Sequence, residues 1–272
     1  MRASRSSTRS AYFRQSDRRL QEGTEQVTTA YARYLETLQE LQQKLLNEGA
    51  AIEQAADVIA DCIGNGGLVH VFGSGHSHMM AEEVFYRAGS LMAFNALLDI
   101  NLTSFGTLRA GEVERTEGYA PIILNSFRVA AGEVVIVVSN SGINPVPIDL
   151  AIEAKKLGAK TIAMTSAAAY ANAKSRHSSG KKLAEVCDLT IDSHVPEGDA
   201  ILSFDGLPSK VAASSTALGA ALLNMVIAQT VDVMLQRGYK IPALVSMNVP
   251  GGDEHNKALI EEYGPRLRMM RG

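Results

Sequence analysis

The sequence predicts an α/β fold: a doubly wound parallel sheet flanked by helices and preceded by an N-terminal helical extension. Short, almost unbroken apolar runs at residues 68–72, 134–138 and 161–164 have the pattern of strands buried on both faces. Each run is followed by a loop or a segment of helical periodicity, the order that βαβ units take. A long stripe of apolar residues at helical spacing precedes the first run.

The elements follow in chain order. Residues 1–24 carry Arg2, Arg5, Arg9, Arg14, Arg18 and Arg19 with several serines and only Asp17 acidic, and read as a basic, disordered tail. No apolar stripe accompanies these arginines, which sets aside a transit peptide. In the helical region 25–64, Val27, Tyr31, Tyr34, Leu38, Leu41 and Leu45 fall in alternating steps of four and three, one face of an amphipathic helix. Such a face packs either on its own domain or on a partner subunit. A second helix is expected over 50–63, broken by Gly64, Asn65, Gly66 and Gly67, and the core domain then runs over 65–272.

Within it, a crossover helix over 147–157 starts on Pro147, places Ile148, Ala151, Ile152 and Leu157 at helical spacing and stops at Gly158. Further strands are expected at 91–97 and 188–191, and a long, nearly uncharged helix over 210–237, closed by Gly238. The stretch 101–127, with its glutamate-rich middle from Gly111 to Gly118, reads as an exposed loop or an active-site loop.

The chain has 272 residues, of which 46% are hydrophobic, enough for a substantial core, and a formal net charge of -3. That balance gives no basic field for nucleic acid, and no helix-turn-helix pattern is present. No uninterrupted apolar run has the length of a membrane span. Cys62 and Cys187 stand far apart without zinc-site companions, consistent with a reducing, cytoplasmic location.

In an open parallel sheet, ligands bind where strand ends meet loops and helix N-termini. Here two strand ends share a pattern. The first runs into Gly73-Ser74-Gly75-His76-Ser77-His78 and the other into Ser139-Asn140-Ser141-Gly142-Ile143-Asn144. Glycine lets backbone approach an anion, and serine hydroxyls rotate toward its oxygens. Either loop alone is ordinary turn chemistry; together they predict a cleft. No G-x-x-x-x-G-K-[ST] motif occurs, and the G-x-G-x-x-G fingerprint fails at its third glycine, where His78 stands. Asp99, near the distance of a ribose-binding acid, leaves nicotinamide binding as a minor alternative. His70 alternates within an apolar strand and reads as a core histidine. His76 and His78 lack a third ligand, so no metal is expected.

The stretch Val69-His70-Val71-Phe72-Gly73-Ser74-Gly75-His76-Ser77, paired with Val137-Val138-Ser139-Asn140-Ser141-Gly142, resembles the sugar isomerase (SIS) domain. The chain is similar to bacterial SIS phosphosugar-binding proteins of uncharacterised activity that carry endings like Ser246-Met247-Asn248-Val249-Pro250-Gly251-Gly252-Asp253 and Glu254-His255-Asn256. More distantly, Lys210-Val211-Ala212-Ala213-Ser214-Ser215-Thr216 is similar to a helix start in the N-acetylmuramic acid 6-phosphate etherases.

The resemblance implies about five parallel strands, a homodimer or homotetramer, and a phosphorylated or otherwise anionic sugar as ligand, with neither nucleic acid nor membrane as partner. It implies anion contacts from Ser139, Ser141 and Gly142, with Ser74 and Ser77 from the first loop. Gly75, His76 and Asn140 share those loops, and Asn144 stands where many members have threonine. Ser214 or Ser215 would touch the sugar and Lys210 the anion; the alternative for these hydroxyls is close helix packing with Ser209 as N-cap.

Aldose-ketose isomerisation needs a base to move a proton between C1 and C2, a ring-opening group and donors for the enediolate oxygen. No cofactor is required. Glu82 and Glu83 follow the first loop, while Glu112, Glu114 and Glu117 lie in the later one; Glu83 and Glu117 are the chosen carboxylates, and His255 the ring-opening histidine. The expected activity is therefore a sugar-phosphate isomerase. The alternatives are an etherase or lyase acting on an amino-sugar phosphate and a non-catalytic phosphosugar sensor.

Overall fold

The computed structural model describes residues 28–270; the basic tail expected over 1–24 lies outside them. The chain forms two units, Met1–Arg33 and Tyr34–Gly272, and of the first only residues 28–33 are described. The elements are α1 (Ala30–Lys44), α2 (Gly49–Gly64), β1 (Val69–Gly73), α3 (Met79–Val84), β2 (Phe94–Ala96), α4 (Thr107–Val113), α5 (Ala120–Phe127), β3 (Val134–Val138), α6 (Pro145–Lys156), β4 (Lys160–Thr165), α7 (Leu183–Val186), β5 (Leu189–Asp192), β6 (Ala200–Leu202), β7 (Val211–Ala213), α8 (Ser215–Gln236) and α9 (Gly252–Tyr263).

Five strands pair in the order β2-β1-β3-β4-β5, all parallel. Every residue of β1 and β3 is buried, because helices cover both faces. The period of two divides their side chains between two cores. Val69, Val71, Val134, Ile136, Val138, Ile162 and Met164 join α2 and α8 on one face. Phe72, Val135, Val137 and Ala163 join α5 and α6 on the other.

Leu38, Leu41 and Leu45 sit in the first of these cores beside Ile52, Ala55 and Ile59 of α2. The apolar stripe of α1 therefore packs on its own domain from Leu38 onward, and no boundary at residue 65 separates these helices from the sheet. Arg237, at the end of α8, ties that helix to α2 through Asp57 and Asp61.

At the amino-terminal ends of the strands, fully buried His70 meets Glu133 through Nε2 at 2.8 Å and Asn95 through Nδ1 at 3.0 Å. Glu133 also accepts from the Ala130 N–H at 2.9 Å and from Arg266 Nη2 at 2.6 Å. A buried carboxylate is tolerated because it is surrounded in this way. Burial pushes its pKa up, but the His70 hydrogen bond and charge, the Ala130 N–H and Arg266 together hold it below the ordinary carboxylate value.

The structure differs from the sequence reading in four places, the first being that the strand expected at 91–97 is confined to Phe94–Ala96. The long helix starts at Ser215, not at Lys210; Val211–Ala213 is instead a strand, antiparallel to β6 with Ala200 opposite Ala213. Ser214 occupies its N-cap position in place of Ser209. The stretch 101–127 is no plain loop but contains α4 and α5, the latter with Pro121 in its first turn. The crossover helix begins two residues early, at Pro145. By length and composition α8 is apolar enough to cross a membrane, but Leu218, Leu222, Leu223, Val226 and Met234 lie in the protein core.

Candidate functional site

The strand order reverses between β1 and β3, whose carboxyl ends lie side by side with Gly73 opposite Val138. Loops that diverge from such a point leave a crevice between them. Gly73 is required where it stands: a Cβ there would lie 2.2 Å from the Ser77 carbonyl oxygen, because the chain doubles back into a 3-10 turn at His76–His78. The Gly75 N–H donates to Leu102 O at 2.7 Å. Ser74, 6% exposed, donates its hydroxyl to Glu114 Oε1 at 2.5 Å.

The second loop is braced by its own atoms. The Gly142 N–H donates to Ser139 Oγ at 3.3 Å, and the Leu183 N–H to Gly142 O at 2.8 Å. Asn140 O accepts from the Ser166 N–H at 2.9 Å and from Thr165 Oγ1 at 3.2 Å. Asn144, at the N-cap position of α6, accepts from Arg176 Nη1 through Oδ1 at 2.7 Å. Its side-chain oxygen thus orients the 175–183 segment.

Both loops contribute to a narrow cleft. His76 and Ser77 come from the first and Asn140 from the second, with Ser193 after β5 and Ser215 and Thr216 at the start of α8. Met80, Val138, Met164 and Gly219 form the apolar side. The open space is about 10 Å³, room for one water at most, so a sugar enters only if the walls move. A broader cleft of about 280 Å³ lies on the other flank of the second loop, between Ser141, Gly142, Thr165, Tyr170, Lys182 and Glu185.

The remaining expected residues are placed as follows. Ser214 is fully buried, and its N–H and hydroxyl reach Asp199 Oδ1 and O, each at 2.9 Å. Ser215 gives its N–H and its hydroxyl to Oδ1 and Oδ2 of the same carboxylate, each at 2.7 Å. Asp199 is therefore the anion at the α8 N-terminus, a favourable place for negative charge. Lys210 is exposed on the hairpin and does not line the cleft.

Glu83 lies one turn beyond Met80 on α3, where Arg87 and the Asn224 amide, at 3.2 Å, hold its Oε1. It is outside the cleft but on the α3–α8 seam that walls it. Glu117 is not brought to the cleft. Its oxygens accept from the Ser178 N–H at 2.5 Å and from the Ser178 hydroxyl at 2.7 Å, and these bonds lower its pKa. His255 is exposed on α9, with Nε2 2.9 Å from Ala243 O, and is likewise absent from the cleft lining.

Two residues were not chosen from sequence. Glu114 is the loop carboxylate that reaches the first loop, and Ser193 lines the cleft at a strand end. No group of three or more potential metal ligands occurs among the described residues. Burial pushes the Cys62 and Cys187 thiols up to about 12, so neither is a ready nucleophile.

A family model described as the SIS domain matches residues 33–166. The chain is 40% identical over 227 residues to a UPF0309 protein of Geobacillus thermodenitrificans, covering 83% of this chain and 91% of that one. It is 42% identical over 223 residues to a UPF0309 protein of Caldanaerobacter subterraneus, covering 80% and 91%. Among solved structures, a phosphoheptose isomerase from Francisella tularensis superposes with a TM-score of 0.48 at 20% identity, covering 73% of this chain and 94% of that one.

Proposed function

We propose that this chain, which belongs to the UPF0309 family and carries an SIS domain, binds an anionic sugar, most simply a sugar phosphate, and interconverts its aldose and ketose forms through an enediolate. The observation that carries the reading is the meeting of two serine- and glycine-rich loops at the β1/β3 reversal. Within the 139–142 turn, Ser139, Ser141 and Gly142 anchor the anion, with Ser74 beside them. The sugar body lies toward the α3–α8 seam.

In this reading the movement of the α3–α8 wall that admits the sugar brings Glu83 to it; Glu83 takes the proton from C2 of the open aldose and delivers it to C1, while the C1 carbonyl oxygen gains a proton and the C2 hydroxyl loses one. No net proton is gained or lost. Asn140 and Ser77 donate to the enediolate oxygens, where hydrogen bonds strengthen as charge develops. His76, which lines the cleft, opens the ring. Glu117 is left out because Ser178 occupies both of its oxygens. Assembly as a homodimer or homotetramer belongs to the same proposal and is read by light scattering.

The test is a thermal-shift panel of pentose, hexose, heptose and amino-sugar phosphates, followed by NMR of deuterium exchange at C2 for every stabilising sugar. Wild type should exchange, and Glu83→Gln should slow exchange by about 10²-fold or more while still binding. Replacing Ser139 and Ser141 together by Ala should weaken phosphosugars far more than neutral sugars. Binding without exchange would make the protein a sensor; no stabilisation by any sugar phosphate overturns the reading.

A further inference from the structure

Ser193 directly follows β5 and is 3% exposed, yet its hydroxyl has no hydrogen-bond partner among the described residues. Its surroundings are otherwise satisfied. Its own N–H donates to Thr165 O at 3.0 Å, and the preceding Asp192 accepts from the His194 and Ala168 N–H groups at 2.8 and 3.0 Å. Ser166 donates its hydroxyl to Val195 O. One hydroxyl is thus left unpaired in a segment where its neighbours are paired.

Buried hydroxyls without partners are uncommon because the lost hydration is not replaced. Ser193 lines the cleft that also contains Asn140 and Ser215, so a molecule entering there supplies the missing partner. That molecule's anionic group goes elsewhere. No lysine or arginine lines this cleft, and the first N–H groups of α8 are already given to Asp199. A neutral oxygen is what the site fits. Met80 and Met164 form the wall that must yield, and unbranched thioether side chains repack readily.

We infer that Ser193 is a specificity-determining residue that hydrogen-bonds a sugar hydroxyl remote from the phosphate, and so selects among phosphosugars by the position of that hydroxyl. The inference rests on the phosphosugar reading above and extends it to the part of the ligand that the anion-binding turn does not see.

The test compares the full-length wild type with Ser193→Ala and Ser193→Cys, using the best-binding sugar phosphate, its monodeoxy analogues and inorganic phosphate as probes. Removing an unpaired hydroxyl should leave the melting temperature of unliganded Ser193→Ala unchanged or higher, while affinity for the sugar phosphate falls about tenfold. Affinity for inorganic phosphate should not change. One monodeoxy analogue should bind wild type as weakly as the parent sugar binds the alanine variant, and Ser193→Cys should retain the fold even if alanine does not. Equal sugar-phosphate affinity in wild type and Ser193→Ala overturns the inference. So does a lower melting temperature with unchanged affinity, or an equal loss for inorganic phosphate. If wild type binds no sugar phosphate, the underlying reading fails first, and that result is seen before any variant is measured.

Discussion

Gly142→Ala is expected to destabilise the protein and weaken ligand binding together, because the second loop depends on that residue twice. Its φ is +60°, and a Cβ there would lie 2.8 Å from Thr165 Oγ1 and 3.4 Å from Leu183 Cβ. Thr165 cannot simply retreat: it is 2% exposed and its hydroxyl is given to Asn140 O. The left-handed backbone costs about 1–2 kcal/mol for alanine, and the overpacked contact adds about 1–3 kcal/mol. The sum is about 2–5 kcal/mol, or a melting temperature lower by on the order of 4–9 °C for a chain of this size.

Gly238→Ala supplies the control. Its φ is +68° with nothing within 4 Å of the added Cβ, so only the backbone cost of about 1–2 kcal/mol applies. Urea denaturation of both variants separates strain from contact, and thermal shifts with a sugar phosphate report the anion site. Gly142→Ala must lose more stability than Gly238→Ala, and it alone must lose ligand response. Equal destabilisation, or a ligand response retained in Gly142→Ala, would refute the account of the turn.

Three further outcomes follow from the contacts. Glu133 titrates below its ordinary value when folded, so its stabilisation is complete above the unfolded carboxylate pKa and disappears as pH falls through the lowered folded one. Urea midpoints across that acid range should fall less steeply in Glu133→Gln, though from a lower starting stability; parallel curves would contradict the assignment. Asp199→Ala removes the carboxylate that accepts from the first residues of α8 and should cost about 1–2 kcal/mol, measured by urea denaturation. Glu117→Gln should leave sugar-phosphate affinity unchanged by calorimetry, since Glu117 holds only the exposed Ser178 turn; a clear loss would restore it to the site.

Most of the sheet was legible because double-sided burial writes itself into the sequence. The runs at 68–72, 134–138 and 161–164 fall within a residue or two of β1, β3 and β4. What failed was the entry to α8. Val211, Ala212 and Ala213 run without a breaker into an apolar helical pattern, and local spacing continues the helix through them. Its true start is set by Asp199, fifteen residues before Ser214 in the chain, a tertiary contact no local pattern records. Likewise α5 was hidden by its brevity and by a glutamate-rich approach that resembles loop composition.

In the candidate site the two loops leave a sequence pattern and the carboxylates do not. The two strand ends followed by serine and glycine are the loops that contribute His76, Ser77 and Asn140 to the candidate cleft. Glu114 and Glu117 stand three residues apart on a chain that bends between them. Glu114 meets Ser74, whereas Glu117 meets Ser178. Spacing cannot decide such a case, because the outcome depends on which neighbouring loop each carboxylate faces in the fold. Ser193 had a usable signal, since it stands at the carboxyl end of a predicted strand as Ser139 does. It lacked the second serine and the glycine that marked the other turn. A residue that binds by one buried hydroxyl needs no such neighbours, so its part of the site leaves only a strand end and a single serine in the sequence.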